Sequence, residues 1–257
     1  MLITSRGNAN IKRIRSLRRR KAREHTGLFF VEGRHLLREA LETHASIEHL
    51  VICPELLTDK LNWGNLSRLE VTAEVFQSIS ESENPEGIGA VVRQRWKSLE
   101  DISLSKGLCW IAINSVQCPS NLGTLLRISD AVGGSGVILI GNSTDPYHPA
   151  AVRSSLGTTF SQRLVRTAFQ AFAEWKRRRR LALVGTSPSA SEDYRSVAYQ
   201  SPLILFMGNE WFGLTVEQQR LCDTLVRIPM VGRVNSHNVA VAAGVVLYEV
   251  FSQSNAK

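Results

Sequence analysis

Three short polar clusters stand at points where apolar runs stop. In VGRVNSHNVAVAAGVV, residues 231–246, Ser236, His237 and Asn238 come directly before a stretch of small and apolar residues. In FMGNEWFGL, residues 206–214, Asn209 and Glu210 follow Gly208, and Gly213 closes the segment. In NSVQCPSNLGTLLRISDAVGG, residues 114–134, Asn121 precedes Arg127 by six positions. A carboxylate placed right after a buried strand is costly unless it is paired, so Glu210 needs a partner or serves as a helix cap. Helix starts expose unpaired N–H groups that accept either a capping side chain or a bound ligand. Ser236 or Asn235 is the expected cap of the last helix, and Ser120 or Asn121 that of the helix carrying Leu125, Leu126 and Ile128. Taken alone, Arg127 on that helix reads as a surface salt-bridge partner.

The elements that must position these clusters follow from hydrophobic patterning. LCWIAI, GVILIG, LALVG, PLILFMG and TLVRIP are near-continuous apolar runs separated by helix-length segments. Such runs are strands buried on both faces, as in a mostly parallel sheet covered by helices. Ligands of these sheets bind beyond the carboxyl ends of the strands, which is where the polar clusters lie. VAVAAGVVLYEVF is apolar around its whole circumference, so it is expected to be buried on every side, and its small residues suit a subunit interface.

Ahead of this region LFFVE, IEHLVIC, RLEVT and EGIGAVVRQ read as strands and GRHLLREALE as a helix, forming a small α/β unit. WKSLEDISLSK lacks periodicity, so the expected division is residues 1–95, a linker at 96–106, and residues 107–257.

Lys and Arg outnumber Asp and Glu 31 to 23 in 257 residues, for a formal charge of +8, which favours a polyanionic partner such as nucleic acid or an acidic membrane surface. The charge is concentrated at Lys12, Arg13, Arg15, Arg18, Arg19, Arg20 and Lys21, with no acid before Glu24. Ile11, Ile14 and Leu17 recur at helical spacing through the same stretch, so one face docks while the arginine face stays open to phosphates. RRRR at 177–180 reads as a solvated helix end that could also face RNA. Cys53, Cys109, Cys118 and Cys222 show no CxxC spacing and are expected to be reduced and mostly buried; His25, His35, His44, His49 and His148 lack metal spacing. No metal site is expected. The run from Val239 to Tyr248 is about half of the roughly 20 residues a membrane span needs, and the basic start lacks an apolar stretch behind it, so neither anchor nor leader is expected. There is no Walker loop, and AVGGSG precedes a strand instead of a helix, which weakens a nucleotide-hydrolysing or dinucleotide-binding reading.

PSNLGTLLRISDAVG, LILFMGNEWFGL and VRIPMVGRVNSHNVAVAAGVVLYE, taken in order across about 150 residues, resemble the SpoU, or TrmH-like, branch of the SPOUT methyltransferases. GLFFVEGRHLLREAL and NPEGIGAVV are similar to the ribosomal-protein-like RNA-binding domain that many members carry in front. The resemblance implies an S-adenosylmethionine-dependent enzyme that methylates the ribose 2'-hydroxyl of structured RNA. It implies a C-terminal trefoil knot, an exception to the rule against threaded chains, and a cytoplasmic homodimer joined through the knotted domain. By matching position, the donor site comprises Gly185, Thr186, Met207, Gly208, Glu210, Gly213, Ile228, Met230, Ser236, His237 and Asn238. Asn121, Arg127, Glu210, Ser236 and Asn238 match the catalytic set. Where the family usually has Ser-Leu-Asn this chain has Ser236, His237, Asn238; the imidazole either packs in place of leucine or makes a polar contact to donor or RNA. The front domain favours ribosomal RNA over transfer RNA, and a catalytically silent RNA-binding or ribosome-assembly factor stands as the reading outside the class.

Methyl transfer to a ribose oxygen depends on alignment and on loss of the hydroxyl proton. Lowering a guanidinium pKa from about 13 to about 7 would cost on the order of 8 kcal/mol, which argues against Arg127 as the base. A charged Arg127 that clamps a phosphate and stabilises developing negative charge is the better role. Asn121 and Asn238 then orient the arginine and the loops, and Glu210 holds either Arg127 or a loop amide.

Overall fold

The computed structural model describes residues 2–57, 65–103 and 107–255. The last three linker positions, 104–106, lie outside them. The chain forms two compact units, Met1–Gln94 with Tyr147–Ser161, and Arg95–Pro146 with Gln162–Lys257.

The first unit starts with β1 (Leu2–Ile3), α1 (Ala9–Ser16), α2 (Arg20–Thr26), β2 (Leu28–Glu32) and α3 (Arg34–Glu42). It continues through β3 (Ile47–Ile52), β4 (Arg68–Val71), α4 (Ala73–Ile79) and β5 (Ile88–Arg93). Its sheet runs β1-β4-β3-β5-β2, with β5 antiparallel to both neighbours. The basic stretch makes two helices where its periodicity pointed to one. Arg23 is the reason: it is buried, and its Nη1 donates to the carbonyls of Leu17 (2.8 Å) and Arg18 (2.9 Å), so the chain turns around it. Ile11, Ile14 and Leu17 dock into a core with Val51, Val71 and Phe76, as their spacing indicated.

The second unit begins with β6 (Trp110–Asn114), α5 (Pro119–Ala131) and β7 (Gly136–Ile140). The chain then returns to the first unit with α6 (Pro149–Ser154), where Tyr147 packs on Phe29 at 4.6 Å between ring centroids. It re-enters the second unit for β8 (Leu164–Thr167), α7 (Phe169–Arg179), β9 (Ala182–Thr186) and β10 (Glu192–Asp193). β11 (Leu203–Met207), α8 (Val216–Leu221), β12 (Thr224–Arg227) and α9 (Val239–Asn255) complete it. Its sheet is wholly parallel in the order β10-β12-β9-β11-β6-β7-β8. The apolar runs are β6, β7, β9, β11 and β12; β7 and β11 are buried at every position. The register pairs Met207 with Ile113, Phe206 with Gly185 and Val226 with Thr186. The carboxyl ends of β6, β11, β9 and β12 therefore lie side by side, and the polar clusters leave from adjacent strands.

Two expectations change. α9 is not buried all round: Val239, Ala240, Ala243, Val246, Leu247 and Val250 face the core, while Val241, Tyr248 and Phe251 are exposed. The run at 177–180 is the exposed end of α7, as its composition indicated, with Arg178 and Arg179 both paired with Glu100, at 2.6 and 3.3 Å. Of the cysteines, Cys53 and Cys109 are buried, Cys222 is half-buried and Cys118 is exposed. Among the described residues no helix is long and apolar enough to cross a membrane.

Candidate active site

The loop after β11 is built around glycine and asparagine. A Cβ on Gly208 would collide with the backbone of Gly213 and Leu214, so only glycine lets the loop close this tightly. Asn209 exchanges backbone hydrogen bonds with Gly213, at 3.1 and 2.9 Å. Its Oδ1 accepts from the amides of Trp211 (2.9 Å) and Phe212 (3.3 Å), an Asx turn, and its Nδ2 donates to the Ser115 carbonyl at 2.8 Å. This leaves Trp211 and Phe212 exposed at the tip.

Glu210 leaves the same loop and finishes a helix that it does not belong to. Its carboxylate accepts from the Gln117 amide (3.0 and 3.1 Å), the Cys118 amide (3.1 Å) and Asn121 Nδ2 (3.2 Å). α5 has no side-chain cap of its own, so the expected cap from Ser120 or Asn121 is replaced by a carboxylate from the neighbouring strand's loop. A negative charge there also suits the positive end of the helix. Burial works to raise the Glu210 pKa, but the hydrogen bonds from Cys118, Gln117 and Asn121 together hold it below the ordinary carboxylate value. The network continues: Asn121 Oδ1 accepts from Asn238 Nδ2 at 2.9 Å. Asn238 Oδ1 in turn accepts from the amides of Ala240 (3.0 Å) and Val241 (3.4 Å), so Asn238 starts α9, not Ser236 or Asn235. Glu210, Asn121 and Asn238 thus tie the three clusters into one hydrogen-bonded chain.

Two neighbouring cavities flank this chain. One, of about 290 Å3, is lined by Thr186, Met207, Gly208, Glu210, Gly213, Ile228, Met230, Ser236 and His237 among others. The second, of about 220 Å3, is lined by Asn121, Glu210, Trp211, Ser236, His237, Asn238 and Val239. His237 lines both and is exposed, so it neither packs like a leucine nor plugs the larger cavity. Gly185 lines neither; it sits within β9 against Cys222, Leu225 and Leu214, where a Cβ would not fit. Arg127 is exposed on α5 and also lines neither cavity.

Residues 109–248 match the model of the SpoU rRNA Methylase family, and residues 8–90 match the MRM3-like substrate binding domain. The chain belongs to the SpoU rRNA methylase family. It is 31% identical to the 23S rRNA (uridine(2479)-2'-O)-methyltransferase of Streptomyces viridochromogenes, with 98% of this chain and 92% of that protein aligned. The 23S rRNA (guanosine(2553)-2'-O)-methyltransferase RlmP of Bacillus subtilis is 27% identical, with 96% of this chain and 98% of that protein aligned. Among solved structures, the AdoMet-bound rRNA methyltransferase from Sinorhizobium meliloti superposes with a TM-score of 0.89 at 37% identity, covering 97% of each chain. As a SpoU member the chain is an RNA methyltransferase whose methyl donor is S-adenosylmethionine.

Within this SpoU site Asn209, which the sequence places in the polar cluster without a role, shapes the Gly208–Gly213 loop. An asparagine between Gly208 and Glu210, with a second glycine four positions later, is the turn signal that carries that role. Trp211, which lines both cavities, carried no signal beyond its neighbourhood.

Proposed function

We propose that this SpoU enzyme transfers a methyl group to a ribose 2'-hydroxyl of ribosomal RNA. The observation that carries the reading is the hydrogen-bonded chain Glu210, Asn121, Asn238, which holds three strand-end loops around adjoining cavities. The larger cavity fits the donor: about 290 Å3 is at the small end of the roughly 300–1,000 Å3 typical of ligand pockets, and Met207, Ile228 and Met230 supply an apolar wall. Bound there, S-adenosylmethionine supplies an electrophilic methyl group on a sulfonium. Thr186, Met207, Gly208, Gly213, Ile228, Met230, Ser236 and His237 would hold it, and the ionised Glu210 beside the cavity favours a cationic ligand. The lone pairs of Glu210 are engaged by amides, so it positions α5 and does not take the hydroxyl proton.

Arg127 stays charged and clamps RNA phosphate. Because it lines neither cavity of its own chain, it reaches the reacting ribose from a second copy. That reading is supported by the exposed apolar face of α9, beside α5, where Ile128 meets Gly244 at 3.3 Å from an added Cβ. A homodimer closed over Val241, Tyr248 and Phe251 and a trefoil knot in the second unit belong to the same proposal. The donor-transferring part is residues 107–257 and the RNA-docking part residues 1–95. In the basic stretch Arg13 pairs with Glu48 and Arg20 with Glu24, Arg15 donates to the Arg6 carbonyl and Arg18 to that of Ser80. Lys12, Arg19 and Lys21 are exposed and make no ion pair among the described residues, so they are the first contacts to phosphate.

Ribosomal RNA is favoured over transfer RNA by extent of likeness: the TrmH/SpoU tRNA modifying enzyme of A. aeolicus covers 62% of this chain with a TM-score of 0.53. Its place of action is then the cytoplasm. The test is to incubate protein, methyl-labelled donor and total RNA, then map the modified ribose. Label in rRNA at a 2'-oxygen is expected. Label confined to tRNA, or no donor binding by calorimetry, sinks the reading. The Arg127 role is checked by Arg127→Lys: loss of the bidentate fork should slow turnover at least about tenfold with donor affinity unchanged, and near-wild-type turnover removes it from the mechanism.

A further inference from the structure

The first unit holds a larger cavity than either of those at the strand ends, about 410 Å3. Leu17, Leu36, Ile79, Val152 and the rings of Phe30 and Tyr147 make its walls. At its mouth stand Arg18, Glu81, Arg153, Ser82, Asn84 and Glu86. None of these residues belongs to the donor site. We propose that this cavity takes an unstacked guanine base of the substrate RNA, an inference that rests on the reading of the chain as an RNA-modifying enzyme.

The size suits it: 410 Å3 lies within the roughly 300–1,000 Å3 of small-ligand pockets. Apolar and aromatic walls suit the faces of a base, and single-stranded RNA is recognised by drawing bases out of the stack and bonding their edges. The mouth decides which base. Glu81 is shared between Arg153, at 3.1 Å, and Arg18, at 3.8 Å. Glu86 accepts from the Arg34 amide at 3.1 Å and pairs with the Arg34 guanidinium at 3.6 Å, both through one oxygen, and its side chain remains 52% exposed. Ionised carboxylates accept and never donate, so Glu81 and Glu86 welcome an edge made of N–H groups, while the arginines beside them offer donors to an edge made of acceptors. Guanine is the base whose Watson–Crick edge carries adjacent N–H donors at N1 and N2, while its O6 and N7 accept from arginine. Glu86 takes the N–H edge and Arg18 or Arg153 the acceptors. Phosphates flanking the base have their own cations close along the chain, since Arg19 directly follows Arg18 and Lys21 comes two positions later.

The test uses the full chain and a fluorescent stem-loop RNA whose uridine loop contains a single guanosine, compared with inosine, adenosine or uridine at that position. Anisotropy should show guanosine binding best, adenosine and uridine weaker by roughly tenfold, the scale of one bidentate base contact, and inosine, which lacks the N2 amine, in between. Glu86→Gln and Ser82→Trp, the second filling the mouth from an exposed position, should each erase the preference. Both variants should keep the base-indifferent, salt-sensitive binding of the wild type and should bind S-adenosylmethionine normally by calorimetry. Equal affinity for all the RNAs overturns the proposal, as does a guanine preference that survives both variants. Saturation by guanosine monophosphate at concentrations matching the RNA overturns it too, because the site would then serve a free nucleotide. A wild type that prefers guanine but binds no methyl donor would leave this inference standing and fell the proposed activity instead.

Discussion

The two walls of the larger strand-end cavity are built in opposite ways. The wall from Gly208 to Gly213 is over-determined: Asn209 bonds across its own turn and to Ser115, and Glu210 ties it to α5. The wall from Ile228 to His237 is open. Residues 231–238 are all exposed, and among the described residues 229–237 make no hydrogen bond until Asn238 starts α9. One half is fixed by its own hydrogen bonds; the other has none of its own before Asn238 and is the longest strand-to-helix connection among the described residues, 228–238. A site that admits a donor and releases its product needs one side free to move.

The sharpest way to break the comparison is Gly208→Val. Added bulk against the backbone of Gly213 and Leu214 should abolish donor binding and destabilise the fold by about 1–3 kcal/mol; retained binding would show that the rigid wall is not needed. Glu210→Ala comes next. It strips acceptors from the Gln117 and Cys118 amides and from Asn121, for an expected loss of about 1–3 kcal/mol in denaturant unfolding. The effect depends on pH in a defined direction. The folded Glu210 pKa lies below the ordinary carboxylate value, so its stabilisation is fully present above that ordinary value and is lost as pH falls through the folded pKa. Wild type and Glu210→Gln should therefore converge in stability on acidification, and parallel curves would deny Glu210 its role.

Asn238→Ala, at the hinge between the two walls, removes a cap and the link to Asn121 and should cost about 1 kcal/mol. Smallest in stability and most telling about order is His237→Leu. The exposed imidazole makes no hydrogen bond among the described residues, so the melting temperature should stay unchanged, and amide exchange in 229–237 should slow on donor addition in both proteins. Exchange in 209–214 should be slow throughout. Equal protection of the two segments without donor would erase the distinction drawn here.

Much of this architecture was legible because burial writes itself into residue type. β6, β7, β9, β11 and β12 are apolar runs since both of their faces are covered, and the polar clusters announce themselves by interrupting those runs. β8 and β10 escaped notice at the sheet edges: one is four residues long and half-open, the other is the dipeptide Glu192–Asp193. α9 misled for a related reason. Its composition is apolar all round, yet the rest of the chain covers only one side and leaves Val241, Tyr248 and Phe251 exposed.

Residue identity alone settled the kind of protein: a covered parallel sheet, a small α/β front unit with a basic start, and strand-end loops carrying Asn121, Glu210 and Asn238. Pairing was decided in three dimensions. That Glu210 caps α5, that Asn121 bridges to Asn238, and that Arg127 stands outside the cavities all depend on which strands lie side by side and in what register. Local sequence encodes burial and turns within a few residues, whereas hydrogen bonds spanning 89 and 117 positions exist only after the β6 and β11 ends have been brought together.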